Sequence, residues 1–206
     1  MNNRIAAIID EITVHRERFE RWCRSLSEEE LARPVPGSEW VVKDFISHLA
    51  TIDQTVSRWF AAIAAGGDLN TATGTPEGDR FDIDRWNNEQ VVRLRGATLD
   101  EIFAIAARTR AEVVSALAQF TDEALDASVH FGGDSKRPAR EVVLGRYLAG
   151  WAKHDPIHVN DMIRALPERR GDAVVREWLD DPEVGGIARG YAAAMGWRED
   201  EDGAAG

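Results

Sequence analysis

Residues 144–165, L-G-R-Y-L-A-G-W-A-K-H-D-P-I-H-V-N-D-M-I-R-A, set Leu144, Tyr147, Leu148, Trp151, His154, His158, Met162 and Ala165 at three-and-four spacing. That period places them on one face of a helix. The stripe predicts a long, buried fourth helix that Pro167 stops. Within it, His154 and His158 point the same way with Cβ atoms roughly 6 Å apart, so both imidazoles can reach one divalent ion. The pair alone reads either as a metal motif or as two hydrogen-bonded core histidines.

Pro156 interrupts this stretch, because an internal proline removes one backbone hydrogen bond and crowds the preceding turn. Asp155 could cap a fresh helix beginning at Pro156, leaving His154 outside it, or one helix could run through with a kink. The stripe keeps its phase across the proline, which favours the continuous, kinked helix.

Upstream, Ile5, Ile8, Ile9, Ile12, Phe19, Trp22, Cys23 and Leu26 mark a first helix over residues 3–26. Pro34, Pro36 and Gly37 break it, and Ser38 is positioned as the N-cap of a second helix. That helix carries Val41, Phe45, His48, Leu49, Ile52, Val56, Trp59 and Phe60 near one face and ends at Gly66-Gly67. His48 therefore lies inside a second apolar stripe. Residues 68–82 are polar and lack periodicity, which predicts a long surface crossover, followed by a short helix near 86–94. Leu99, Ile102, Phe103, Ala106, Val113, Leu117 and Phe120 mark the third long helix, with Thr98 and Glu101 spaced for a capping box.

Four long helices and no alternating strands predict an all-α four-helix bundle with a long crossover between helices 2 and 3 and short extra C-terminal helices. The expected organisation is a bundle over 1–167, a helical extension over 168–197 around Trp178 and Tyr191, and a disordered acidic tail over 198–206.

Composition narrows the function classes. The 206 residues are 44% apolar, enough for one substantial core, and the net charge of −11 repels phosphate backbones, so nucleic acid is not an expected partner. No stretch approaches the ~20 apolar residues of a membrane span, and the opening M-N-N-R leads into an amphipathic helix. A cytoplasmic protein acting on a small-molecule substrate is expected, and a homodimer through exposed helix faces fits the bundle class. Cys23 is the single cysteine, so neither an internal disulfide nor a thiolate zinc cluster can form, and it reads as a buried structural thiol.

Three segments together resemble the DinB-like (YfiT-type) superfamily. They are S-E-W-V-V-K-D-F-I-S-H-L-A-T-I-D at 38–53, D-I-D-R-W-N-N-E-Q-V at 82–91 and W-A-K-H-D-P-I-H-V-N-D-M-I at 151–163. The resemblance covers residues 1 to about 166. It implies a four-helix bundle in which His48, His154 and His158 form a three-histidine site for zinc or nickel. It also implies a possible low-molecular-weight thiol co-substrate such as mycothiol, because the superfamily includes mycothiol-dependent maleylpyruvate isomerases and other thiol-dependent transferases.

Three neutral imidazoles leave a divalent ion its full charge and an open position, the pattern of catalytic zinc. A bound water or thiol then loses its proton near neutral pH. Asp44 and Asp161, each one turn from a histidine, are candidates to orient the rings, against the alternative of solvated helix-face carboxylates. His15, between Ile12 and Phe19, reads as a core histidine, with a fourth ligand or proton shuttle as the alternative. Arg110 reads as a surface arginine, with binding of a substrate carboxylate as the alternative. His130 reads as a surface residue. Trp40, Trp59 and Trp151 read as core or as pocket walls.

No catalytic side chain is singled out. The expected activity is a metal-dependent thiol S-transferase or isomerase. One alternative is a metal-dependent hydrolase, in which H-D-P-I-H resembles H-E-x-x-H with Asp155 as base, although proline follows that aspartate and no third ligand has the usual downstream spacing. The other is a non-catalytic, stress-related binding protein.

Overall fold

The apolar stripes become helices whose buried faces close one bundle. In the computed structural model, residues 3–67, 72–76 and 79–194 are described, the last five by backbone alone. Helix α1 (Asn3–Cys23) buries Ile5, Ile9, Ile12, Phe19, Trp22 and Cys23. A short α2 (Glu28–Leu31) follows, closed by a Ser27–Glu30 capping box. Helix α3 (Val42–Ala64) is buried around most of its circumference, from Phe45 to Phe60. A helix apolar on so many sides needs neighbours on each of them, and α3 packs against α4 (Ile83–Leu94) and α5 (Leu99–Leu117). The Thr98–Glu101 capping box forms as its spacing predicts.

The fourth side of the bundle is two helices, α6 (Leu144–Ala152) and α7 (His154–Met162). The continuous, kinked helix is therefore corrected. The break falls at Lys153, with φ −89° and ψ 5°, and the new helix begins at His154. Pro156 then occupies its first turn, where backbone N–H groups have no intrahelical partner and a missing donor costs nothing. His154 stays inside the helix with His158.

Helix α3 begins at Val42 rather than after Ser38. Residues 33–42 fold back on themselves through Val35 N to Trp40 O and Val42 N to Arg33 O bonds, with Gly37 at φ 74°. The Ser38 hydroxyl serves that turn by accepting from Trp40 N. A second difference is a β-hairpin, β1 (Ser128–Phe131) paired antiparallel with β2 (Arg140–Val143), where no strand is expected. Its strands are too short for alternation to stand out. Phe131 nonetheless buries against Trp59, with ring centroids 5.6 Å apart. Gly133, at φ 83°, permits the intervening loop, because a Cβ there would lie 2.7 Å from Ala139 N.

Past the bundle, α8 (Ala173–Asp180) and α9 (Pro182–Ala194) follow. Trp178 of α8 is buried and donates its indole N–H to His15 Nδ1 at 3.0 Å. The expected tail at 198–206, residues 195–197 of the expected extension and residues 68–71, 77 and 78 of the expected crossover lie outside the described residues. Among the described residues no helix is long and apolar enough to cross a membrane.

The core is divided. One apolar cluster joins Phe19, Trp22, Phe45, Leu49, Ile102, Met162 and Trp178. The other joins Ile5, Ile12, Trp59, Phe60, Leu117, Phe131 and Leu148. Where one cluster gives way to the other along the chain, all four sides of the bundle carry buried polar side chains: Arg16 on α1, His48 and Asp53 on α3, Arg110 on α5, Asp155 and His158 on α7. Burying so many polar groups is costly unless they are paired or used. These groups form a polar waist between the two apolar clusters.

Candidate metal centre

Helix α3 presents His48 and α7 presents His154 and His158 to a common point. One ring nitrogen from each lies within 4.8 Å of the others. The Nε2 atoms of His154 and His158 are 3.2 Å apart. Tetrahedral zinc–nitrogen bonds of about 2.0–2.1 Å require ligand nitrogens roughly 3.3 Å apart, so this pair already has the right spacing. Buried Nδ1 atoms of His48 and His154 have no hydrogen-bond partner, which is unusual for core histidines.

The surroundings keep these rings neutral. Burial, followed by the neighbouring His158, pushes His48 well below the ordinary imidazole range, and the same causes act on His154. Neutral imidazoles are the form that ligates a metal. Aromatic side chains set their planes. Trp151 stacks on His154 with centroids 4.3 Å apart, Trp40 packs on His48 at 5.3 Å and Phe45 on His158 at 5.7 Å.

Of the two carboxylates expected to orient the rings, only Asp161 contacts one: His158 Nδ1 donates to Asp161 Oδ2 at 2.9 Å. This leaves His158 Nε2 facing the other histidines. Asp44 does not take that role. Its buried carboxylate accepts from Val41 N at the start of α3 and from Arg95, holding the helix terminus instead. His15 also lies apart from the cluster, bound to Trp178 as a core histidine, and burial lowers its pKa. His130 is exposed beside Glu141, and Cys23 is buried and unbonded.

Arg110 departs furthest from expectation. It is buried, with Nε 2.8 Å from Asp53 Oδ2 and an N–H 3.5 Å from Asp155 Oδ1. Arg16 grips Asp155 through two bonds of 2.8 Å and also donates to Leu49 O. Two arginines and two aspartates thus form a buried, charge-balanced group directly behind His154. Asp155, held there, is not the free base that a likeness to H-E-x-x-H requires. Arg16 and Asp53 carried no sequence signal beyond sitting one turn from apolar stripe residues.

The triad stands between two cavities of different character. One, about 300 Å³, is walled mainly by Ile52, Trp59, Phe131, Tyr147 and Trp151 and reaches His48 and His154. The other, about 440 Å³, is lined by Trp40, Asp84, Asn88, Lys136 and Asp161 and reaches His48 and His158. Asn87 of α4 lines both.

The comparisons bear out the expected family. The family model described as the DinB superfamily matches residues 11–162, and the chain belongs to that superfamily. Its fold is similar to that in the crystal structure of the mycothiol-dependent maleylpyruvate isomerase and in that of a histidine-to-alanine mutant of it. Each has a TM-score of 0.51 and 13% identity, with 77% of this chain covered and 60% of the other. The chain therefore spans only about 60% of the length of that isomerase. No curated protein sequence matches.

Proposed function

We propose that this protein is a metal-dependent thiol S-transferase or isomerase, with zinc or nickel held by His48, His154 and His158. The observation that carries this reading is the triad itself, two buried imidazoles and one half-buried one converging where two cavities meet. The likeness in fold to a mycothiol-dependent enzyme adds support.

When bound, a divalent ion with three imidazole ligands would bring the pKa of a water in its open position to near neutrality and hold a thiol there as its thiolate. The chain's own residues do the rest. Asp161 fixes the tautomer of His158, and Trp151 fixes the plane of His154. The second cavity, whose wall carries Asn88 and Lys136, suits a hydroxyl-rich thiol such as mycothiol. The apolar cavity of Trp59 and Trp151 suits the electrophilic partner and keeps water from it. A homodimer belongs to the same reading and is measured by sedimentation.

The test is a screen of metal-loaded protein with mycothiol, glutathione and cysteine against maleylpyruvate and activated halides. Thiol-dependent turnover that the His48→Ala variant lacks is expected. Turnover of esters or amides without thiol would replace this reading with hydrolysis, and unchanged melting after chelation together with no turnover would favour a non-catalytic protein.

Asp161→Asn keeps the shape but turns the hydrogen bond to His158 into a weaker, neutral one. Metal affinity is expected to fall about 10–100-fold, the usual worth of such a ring-orienting partner, in a competition titration with a chromophoric chelator. Unchanged affinity would remove Asp161 from the site.

A further inference from the structure

Taking the apolar cavity as the acceptor side, on which this inference rests, we propose that Arg146 binds the carboxylate of a small, mainly hydrocarbon substrate there. The cavity wall carries two cations, Arg137 and Arg146. Arg137 is spoken for: it binds Asp134 through Nε and a terminal nitrogen and lies over the Phe131 ring. Asp134 is equally committed, since its other oxygen accepts from the backbone N–H groups of Lys136 and Arg137. Arg146, near the start of α6, makes no hydrogen bond or ion pair among the described residues. Arg146 is exposed and lines the cavity, so an unpaired guanidinium stands at the rim of a cavity whose remaining walls are largely aromatic and aliphatic.

That combination selects by both ends. The rings of Trp59, Tyr147 and Trp151 favour a flat or branched hydrocarbon body, and a guanidinium fork pairs two N–H donors with the two oxygens of a carboxylate. A volume of about 300 Å³ is at the small end for ligand pockets, which limits the body to a single ring or a short branched chain. With the carboxylate at Arg146, the far end of the ligand extends towards His48 and His154 on the same wall.

The tryptophans lining the cavity report its occupancy directly. Phenylacetate and its neutral analogue 2-phenylethanol are titrated into the full-length protein, as purified and after chelation, with intrinsic fluorescence as readout. Phenylacetate is expected to bind about tenfold more tightly, the scale of one charge-assisted hydrogen-bonded pair. Arg146→Gln is expected to abolish this preference while leaving 2-phenylethanol unchanged. Arg58→Gln, which removes the same charge from an exposed position on α3 outside the cavity, should preserve it. Equal binding of the two probes, no binding of either, or a preference that survives Arg146→Gln would overturn the proposal. A preference that survives Arg146→Gln but disappears on chelation would assign the anion to the metal instead. Arg146-dependent binding in protein that holds no metal would uphold this proposal while removing the metal reading.

Discussion

Protein purified without an affinity tag is expected to carry stoichiometric zinc or nickel, and His158→Ala is expected to carry none. Elemental analysis reads both, and His48→Ala should match His158→Ala. The size of the effect follows from the arrangement. His158 is held on both sides, with Nδ1 bound to Asp161 and Nε2 3.2 Å from that of His154. Its loss leaves two nitrogens from different helices, too few for a closed or catalytic zinc site. The penalty should exceed the roughly 10–100-fold attached to ring-orienting partners. His130→Ala is the matched control, since that ring is exposed on β1 and pairs with Glu141. Equal metal in all variants would mean that the ion sits elsewhere, and the proposed chemistry would lose its basis.

The triad was visible in the sequence because a convergent histidine cluster leaves a local trace. His154 and His158 share a helix face by spacing, and His48 interrupts a second stripe at a position that should be apolar. The waist behind it left no such trace. Arg16, Asp53, Arg110 and Asp155 come from four helices, and each alone resembles an ordinary charged residue on the edge of a stripe. Sequence reasoning places an isolated arginine at the surface, and only the packing of α1, α3, α5 and α7 shows two of them paired inside. Asp44 failed for a different reason. One turn before His48 is the right distance to orient the ring, but it is also the third residue of α3, where a carboxylate satisfies the free N–H groups of the helix start. The Lys153 break was hidden because the stripe keeps its phase across it, and the hairpin because four-residue strands barely alternate. The Ser27–Glu30 capping box went unread, because it precedes a helix too short to show periodicity.

The waist makes a second large prediction, on stability. Asp155→Ala is expected to cost about 3–5 kcal/mol, the usual penalty for removing one partner of a buried ion pair. Arg16 and Arg110 would then be left buried with only Asp53. The geometry singles out Asp155. It takes two 2.8 Å bonds from Arg16, whereas Asp53 has no well-formed hydrogen bond at either oxygen despite its nearness to Arg110. Their titration agrees with this ranking. Burial raises both carboxyls, but for Asp155 the two arginines win and its pKa falls below the ordinary value, while for Asp53 burial wins and its pKa rises. A lowered carboxyl stabilises the fold above its unfolded pKa, and that contribution is lost as pH falls through the folded value. A raised one contributes in the opposite sense. Asp53→Asn should therefore cost clearly less than Asp155→Asn at pH 7, and the difference between the two variants should shrink on acidification below the ordinary carboxylate range. Urea unfolding of the metal-free proteins at two pH values reads both terms without interference from ligand binding. A cost for Asp155→Ala below about 1 kcal/mol, the level of an exposed ion pair, would mean that water reaches the waist and that α7 is positioned for its histidines by packing alone.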